Sequence, residues 1–170
     1  MTPDVVIHCP GHVDSPVSLL EAFIMPTVQD VLTSKDSSRV FTIPPAASVL
    51  DAVEKMNELK IGALIVMEDG QILGIFTERD VLSRVVGEMR RPATTALAEV
   101  MSKNVVCVEP STDLDEVSEL MRNRRIRHVP VCDPERGLIG MISIGDVNAF
   151  HASHREATLH YLNEYIYGRV

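Results

Sequence analysis

Two four-residue runs in this chain set a hydroxyl three positions ahead of a carboxylate: Thr77-Glu78-Arg79-Asp80 and Ser143-Ile144-Gly145-Asp146. At neutral pH an aspartate only accepts hydrogen bonds, and it can take two from a vicinal diol. A hydroxyl three residues earlier, on the first turn of a helix, faces the same way. The exposed N–H groups of such a turn favour a nearby anion. Arg127 stands at the start of an apolar run and supplies a planar fork suited to phosphate oxygens. His128 sits beside it, and Arg79 inside the first run is a further cation. A plainer reading stays open: the Ser or Thr caps a helix and the Asp favours its positive end. The two readings can hold together.

Other polar groups carry less. Arg122, Arg124 and Arg125 read as a solvated helix end, where cations suit the dipole. His8, Cys9 and His12, and likewise His151, His154 and His160, lack the paired spacing of structural zinc ligands, so no metal is expected. Cys107 and Cys132 lie in apolar β-like runs and read as small core residues; with Cys9 they make three, an odd number. No nucleophile with an adjacent base, no Walker-type phosphate loop and no paired-metal constellation is present, which argues against an enzyme.

The elements that must position these residues occur twice. With an offset of 65 residues Pro45, Glu54, Met56, Ile61 and Val66 fall on Pro110, Glu119, Met121, Ile126 and Val131. One added turn residue then places Gly74-Ile75-Phe76-Thr77 on Gly140-Met141-Ile142-Ser143 and Asp80-Val81 on Asp146-Val147. Each copy predicts a short strand (40–43; 105–108) ending at a proline, which cannot donate to a sheet ladder. A helix follows, opened by Ser48 and Asp51, or by Asp113 and Glu116, at capping-box spacing. Its apolar stripe is Val49, Ala52, Val53 and Met56 in one copy and Leu114, Val117 and Met121 in the other. Two strands joined by a turn come next (63–67 with 72–76; 128–132 with 138–142), and a second helix begins near Thr77 or Ser143. The fold class is therefore α+β, with tandem strand-helix-strand-strand-helix repeats. The central strands are apolar almost throughout, so both sheet faces need cover. One copy of about 60 residues buries too little surface alone, whereas two packed sheet to sheet with pseudo-two-fold symmetry suffice and leave a pair of equivalent clefts. The chain divides into an extension (1–25), repeat 1 (26–86), a linker broken by Gly87 and Pro92 (87–98), repeat 2 (99–150) and a C-terminal helix (151–170).

Composition bounds the rest. At 170 residues and 45% hydrophobic content the chain can build a core, made of Val, Ile, Leu, Met and Ala because aromatics are 4% and Trp is absent. A net charge of −8 argues against a nucleic-acid surface, which needs a basic face. No stretch approaches the ~18 apolar residues of a membrane span, no secretory leader is recognisable, and the cysteine usage suits a reducing cytoplasm, so a cytoplasmic location is expected.

The segments GIFTERDV (74–81), GMISIGDV (140–147) and IRHVPV (126–131) resemble those of the paired cystathionine β-synthase (CBS) domain, or Bateman module, of stand-alone prokaryotic proteins. The likeness covers residues 26–150. It implies inter-repeat clefts that bind adenosine ligands: AMP, ADP or ATP, in some members S-adenosylmethionine or NAD(H). Carried over by position, it implies ribose contacts at Thr77, Asp80, Ser143 and Asp146, and phosphate contacts at Arg127, His128 and Arg79. Apolar residues of the adenine pocket would be Ile43, Ile61, Gly62, Ala63, Val108 and Pro130. It further implies a regulatory sensor of energy or redox state rather than an enzyme, a homodimer, and an unidentified regulated protein. The alternative is a ligand-free oligomerisation or interaction module. The copies differ where it matters: Gly62-Ala63 stand at the positions of Arg127-His128, and Ile144-Gly145 replace Glu78-Arg79. Unequal sites are expected, Thr77 and Asp80 marking the better one; which cleft Arg127 faces is not visible in sequence.

Overall fold

Local signals start and stop the helices. A computed structural model describes residues 6–7, 25–35 and 40–153. Helix α1 spans Val28–Ser34, and α2 (Val49–Leu59) begins where Ser48 and Asp51 cap one another: the Asp51 amide donates to Ser48 Oγ at 3.1 Å and the Ser48 amide to Asp51 Oδ2 at 3.0 Å. Helix α2 stops at Lys60, whose left-handed backbone (φ 54°) closes the C-terminus. The second copy repeats the plan. Asp113 accepts from the Asp115 and Glu116 amides, and the corresponding helix (Leu114–Arg124) ends at Arg125 with φ 55°.

Strands β1 (Val6–Ile7), β2 (Thr42–Ile43), β3 (Ala63–Glu68) and β4 (Gln71–Thr77) precede the helical segment Glu78–Asp80, here α3. It continues as a wider π-helical turn, Val81–Val86. Helix α4 (Leu97–Val100), strand β5 (Val106–Cys107), helix α5 (Leu114–Arg124), and strands β6 (His128–Asp133) and β7 (Gly137–Ser143) follow, and residues 144–153 are helical (α6). The first sheet has order β2-β3-β4, with β2 parallel to β3 and β3 antiparallel to β4. In the second, β6 and β7 form the hairpin, and Val108 joins Val131 as the parallel neighbour. Both hairpins carry an irregularity at equivalent places, Val66/Met67 and Val131/Cys132. Strand β1 adds a parallel partner to β5. The architecture is α+β, one unit occurring twice about a pseudo-two-fold. The extension before Met25 lies outside the described residues apart from Val6 and Ile7, as does the expected C-terminal helix beyond residue 153.

Spatially, the two halves exchange their opening helices. Val28, Val31 and Leu32 of α1 are buried with Leu114, Val117, Met121, Val131 and Ile142, in the core of the second half. Leu97 and Val100 of α4 are buried with Val49, Met56, Leu64 and Phe76, in the first. Backbone bonds fix both crossings: the Val28 amide donates to the Thr112 carbonyl at 3.0 Å, and the Leu97 amide to the Ala47 carbonyl at 2.9 Å. Within residues 87–98, Thr95 is buried and its carbonyl accepts from the Val49 amide at 2.9 Å, so this end of the segment is anchored to the first core. The exchange explains the glycine of each closing motif. A Cβ on Gly74 would stand 2.6 Å from Met101 Sδ, and one on Gly140 would stand 2.7 Å from a Leu32 methyl, both on the segments that have crossed over.

Candidate functional site

At the end of β4, Thr77 is extended (φ −129°, ψ 164°) and the chain turns directly into α3. The Thr77 amide and hydroxyl both donate to Asp80 Oδ2, at 2.9 and 2.7 Å, and the Asp80 amide donates back to the Thr77 hydroxyl at 3.4 Å. The pair is thus a capping box, the plainer of the two roles expected from its spacing. Asp80 is buried, its side chain 9% exposed, and its second oxygen takes the Ser102 hydroxyl at 3.3 Å with Arg84 Nε 3.5 Å away. Ser143 and Asp146 repeat the box, amide and hydroxyl donating to Asp146 Oδ2 at 2.6 and 2.7 Å. There the extra partner is Lys35, whose ammonium lies 2.6 Å from Asp146 Oδ2 and donates to the Met141 carbonyl at 3.0 Å.

Each box lines a cleft at the junction of the halves. The first cleft, about 400 Å³, brings together Thr77, Asp80, Arg79, Arg127, His128 and Pro130. Its remaining cations are Arg84, Lys103 and Arg125, and its apolar lining includes Ile75, Val105, Val106 and Ile126. Five permanent cations therefore face one carboxylate, in a chain whose net charge is −8. The second cleft, about 420 Å³, collects Ser143, Asp146, Ile61, Gly62 and Ala63 with Phe41, Met141, Lys35 and Lys60. His128 lines both. Arg127 thus faces the cleft of Thr77 and Asp80. Two expected pocket residues are not at either cleft: Ile43 and Val108 are buried in the cores of the first and second halves. The cleft meets the beginnings of these strands, so Phe41 and Val106, each two residues earlier on the same strand face, take those places.

The family model for the CBS domain matches this chain twice, over residues 28–87 and 97–151. This protein belongs to the CBS-domain family. The chain is similar to a mitochondrial CBS domain-containing protein of Arabidopsis thaliana, CBSX3, at 38% identity over 84% of this chain and 72% of that protein. It is also similar to a solved CBS-domain-containing protein from Agrobacterium tumefaciens, at 38% identity and TM-score 0.68, covering 74% of this chain and 98% of the other. The CBS domain pair of protein MJ0100, solved with 5'-methylthioadenosine and S-adenosyl-L-methionine, shares the fold at 22% identity and TM-score 0.66, over 76% and 98% of the two chains.

Several cleft residues of this CBS pair escape a reading of sequence. Arg84 follows Asp80 by one helical turn, a spacing that could have flagged it. Arg125 is exposed as a helix end should be, yet its left-handed turn sets it along the first cleft, and its carbonyl accepts from Arg79 Nη1 at 2.8 Å across the halves. Ser102 and Lys35 come from the segments that cross between halves, and nothing local marks them. Cys107 is buried, and its contact with the Cys132 thiol together with burial pushes its own thiol up, so it stays neutral as a core residue should.

Lys35 also bears on the charge of Asp146. Burial pushes Asp146 upward, but the hydrogen bonds from Lys35 and Ser143 outweigh it and leave the carboxylate below its ordinary value. Burial pushes the His128 imidazole below its ordinary value; Arg127 and Lys35 reinforce this, and Glu78 and Asp146 oppose it. The depressed value means that the unfolded chain takes up this proton before the folded one. His128 therefore subtracts stability as pH falls through about 6.5 and is neutral in effect above it. His128→Asn is expected to flatten the loss of melting temperature between about pH 7 and 5.5, measured by calorimetry in a matched buffer series. An unchanged slope would show that the imidazole is freely solvated.

Proposed function

We propose that this CBS pair is a regulatory module that binds an adenine nucleotide, AMP, ADP, ATP or NAD(H), in its first cleft. Occupancy then biases the placement of the two halves or affinity for a partner, making the protein a sensor of energy or redox state. The observation that carries this reading is a buried, capped carboxylate that shares one slot with five cations and apolar walls. Asp80 Oδ1, which holds the long Ser102 contact of 3.3 Å beside the Arg84 ion pair, keeps acceptor capacity for a sugar hydroxyl. Arg79, Arg84, Lys103, Arg125 and Arg127 offer the charge that phosphates need. Val105, Val106, Ile126 and Pro130 offer a surface for a flat base. The fold neighbour holding two adenosine compounds supports the capacity of the architecture; the ligand class rests on this chain's own residues. The second cleft, with Gly62-Ala63 in place of Arg127-His128 and Lys35 seated on Asp146, is the weaker site. The proposed role is regulatory rather than catalytic.

Thermal melting with AMP, ATP, NADH and S-adenosylmethionine tests the reading. A ligand at ~100 times its dissociation constant adds ~2.7 kcal/mol, a shift of several degrees for a protein of this size. If none of the four moves the transition, the sensor fails and the ligand-free interaction module takes its place. One observation favours an interaction role alongside binding. Leu82, Val86 and Met89 are 68%, 62% and 91% exposed, at near-helical spacing on the segment after α3. We assign this strip to a two-fold homodimer contact. Native mass spectrometry of the same sample reports the protomer count and any co-purifying nucleotide.

A further inference from the structure

The arginine cluster near residue 125 is only partly absorbed by the first cleft. Arg79, Arg125 and Arg127 also line another, more open groove of about 500 Å³, where Arg122 joins them. Its floor is apolar, made by Met121, Ile126 and Ile144, and no carboxylate lines it. Arg122 has an ion pair with Glu119 at 3.5 Å, with both side chains well exposed, an arrangement of little energetic weight. Four arginines thus line one groove, more positive charge than the packing of Met121, Ile126 and Ile144 needs. At the equivalent positions of the other half stand Asn57, Lys60, Gly62 and Gly145.

We infer that this groove is a subsite for phosphoryl groups beyond the first, continuous with the first cleft through the shared wall of Arg79, Arg125 and Arg127. The inference rests on the nucleotide reading above and deepens it: the protein discriminates nucleoside polyphosphates from monophosphates. The geometry supplies the reason. Arg79 is held by the Arg125 carbonyl at 2.8 Å, which sets its guanidinium at the rim between cleft and groove. A planar fork can bond phosphate oxygens on either side of such a rim. A nucleotide anchored at Asp80 with its first phosphate near Arg127 would extend its tail toward Arg122.

Isothermal titration calorimetry with adenosine, AMP, ADP, ATP and inorganic tripolyphosphate, on the full chain and its Arg122→Gln variant, tests this. Arg122 lines the groove and not the first cleft, and its side chain is 75% exposed, so the variant folds normally, as an unchanged melting temperature will verify. In the wild type, affinity rises from AMP to ATP. In Arg122→Gln, ATP weakens by about tenfold and AMP by less than about twofold, the loss of one charge-assisted bidentate contact. An ATP-to-AMP affinity ratio identical in both proteins overturns the subsite. Tripolyphosphate that displaces ATP supports a shared tail site; tripolyphosphate that binds beside ATP without disturbing it makes the groove a free-phosphoanion site and overturns the tail assignment. Should no adenosine compound bind, the nucleotide reading falls separately. Tripolyphosphate binding lost in Arg122→Gln would then still support a phosphoryl groove, and no binding would overturn it as well.

Discussion

Asp80→Ala is expected to weaken nucleotide binding at the first cleft by at least about tenfold, because a hydrogen bond to a charged acceptor, at about 1.5–3 kcal/mol, is lost. The same substitution removes a helix cap and leaves Ser102 and Arg84 without their carboxylate, costing about 1–2 kcal/mol of stability. The two losses can be separated. Asp80→Asn keeps an oxygen that the Thr77 amide can use, so it should retain all but about 1 kcal/mol of stability while still losing the charge that a sugar diol meets. Asp146→Ala provides the internal control. It breaks an equivalent box and should lower the melting temperature while leaving affinity at the first cleft unchanged. Urea denaturation and calorimetric titration of the three variants read both quantities. If Asp80→Ala and Asp80→Asn bind AMP and ATP within twofold of wild type, the carboxylate is a helix cap and nothing more.

Gly74→Ala should cost about 1–3 kcal/mol, as overpacking a filled core does, and Gly140→Ala distinctly less. The new methyl at position 74 meets Met101 Sδ at 2.6 Å and the backbone carbonyl of Ser102 at 2.9 Å. That carbonyl cannot turn aside, because Ser102 and Ile75 exchange two backbone hydrogen bonds of 2.9 Å. At position 140 the nearest atoms are the two methyls of Leu32, at 2.7 and 3.1 Å, and a leucine end can rotate. Neither glycine has a positive φ, so the difference is one of space and not of backbone freedom. Pushing Ser102 aside also withdraws its hydroxyl from Asp80; Gly74→Ala should therefore weaken nucleotide binding as well. Equal costs in equilibrium denaturation, or a larger cost at 140, would show that the crossed segments yield equally on both sides.

Much of this molecule is written in short-range pattern. The helix that Ser48 opens, the left-handed stops at Lys60 and Arg125, and the two hairpins depend on residues within a turn or a strand of each other. Hydroxyl-x-x-carboxylate spacing is likewise local, and both the cap and the line toward the cleft follow from it. The difference between Arg127-His128 and Gly62-Ala63 is legible as a difference in charge, which is why unequal clefts can be expected without coordinates.

The remaining features depend on docking. That α1 belongs with the second core and α4 with the first cannot be read from either helix, since an apolar stripe announces a buried face and not its partner. From that exchange come Ser102 on Asp80, 22 residues apart in sequence, and Lys35 on the Met141 carbonyl, 106 residues apart. The placement of Arg127 beside Thr77, and the substitution of Phe41 and Val106 for Ile43 and Val108 in the pocket walls, follow from how deeply each strand enters its sheet. Period and spacing along the chain determined the repeats, their caps and the chemistry each half could offer. Which half lends which side chain to which cleft was decided only when the sheets packed, because that choice rests on shape and contact between segments far apart, which no local pattern encodes.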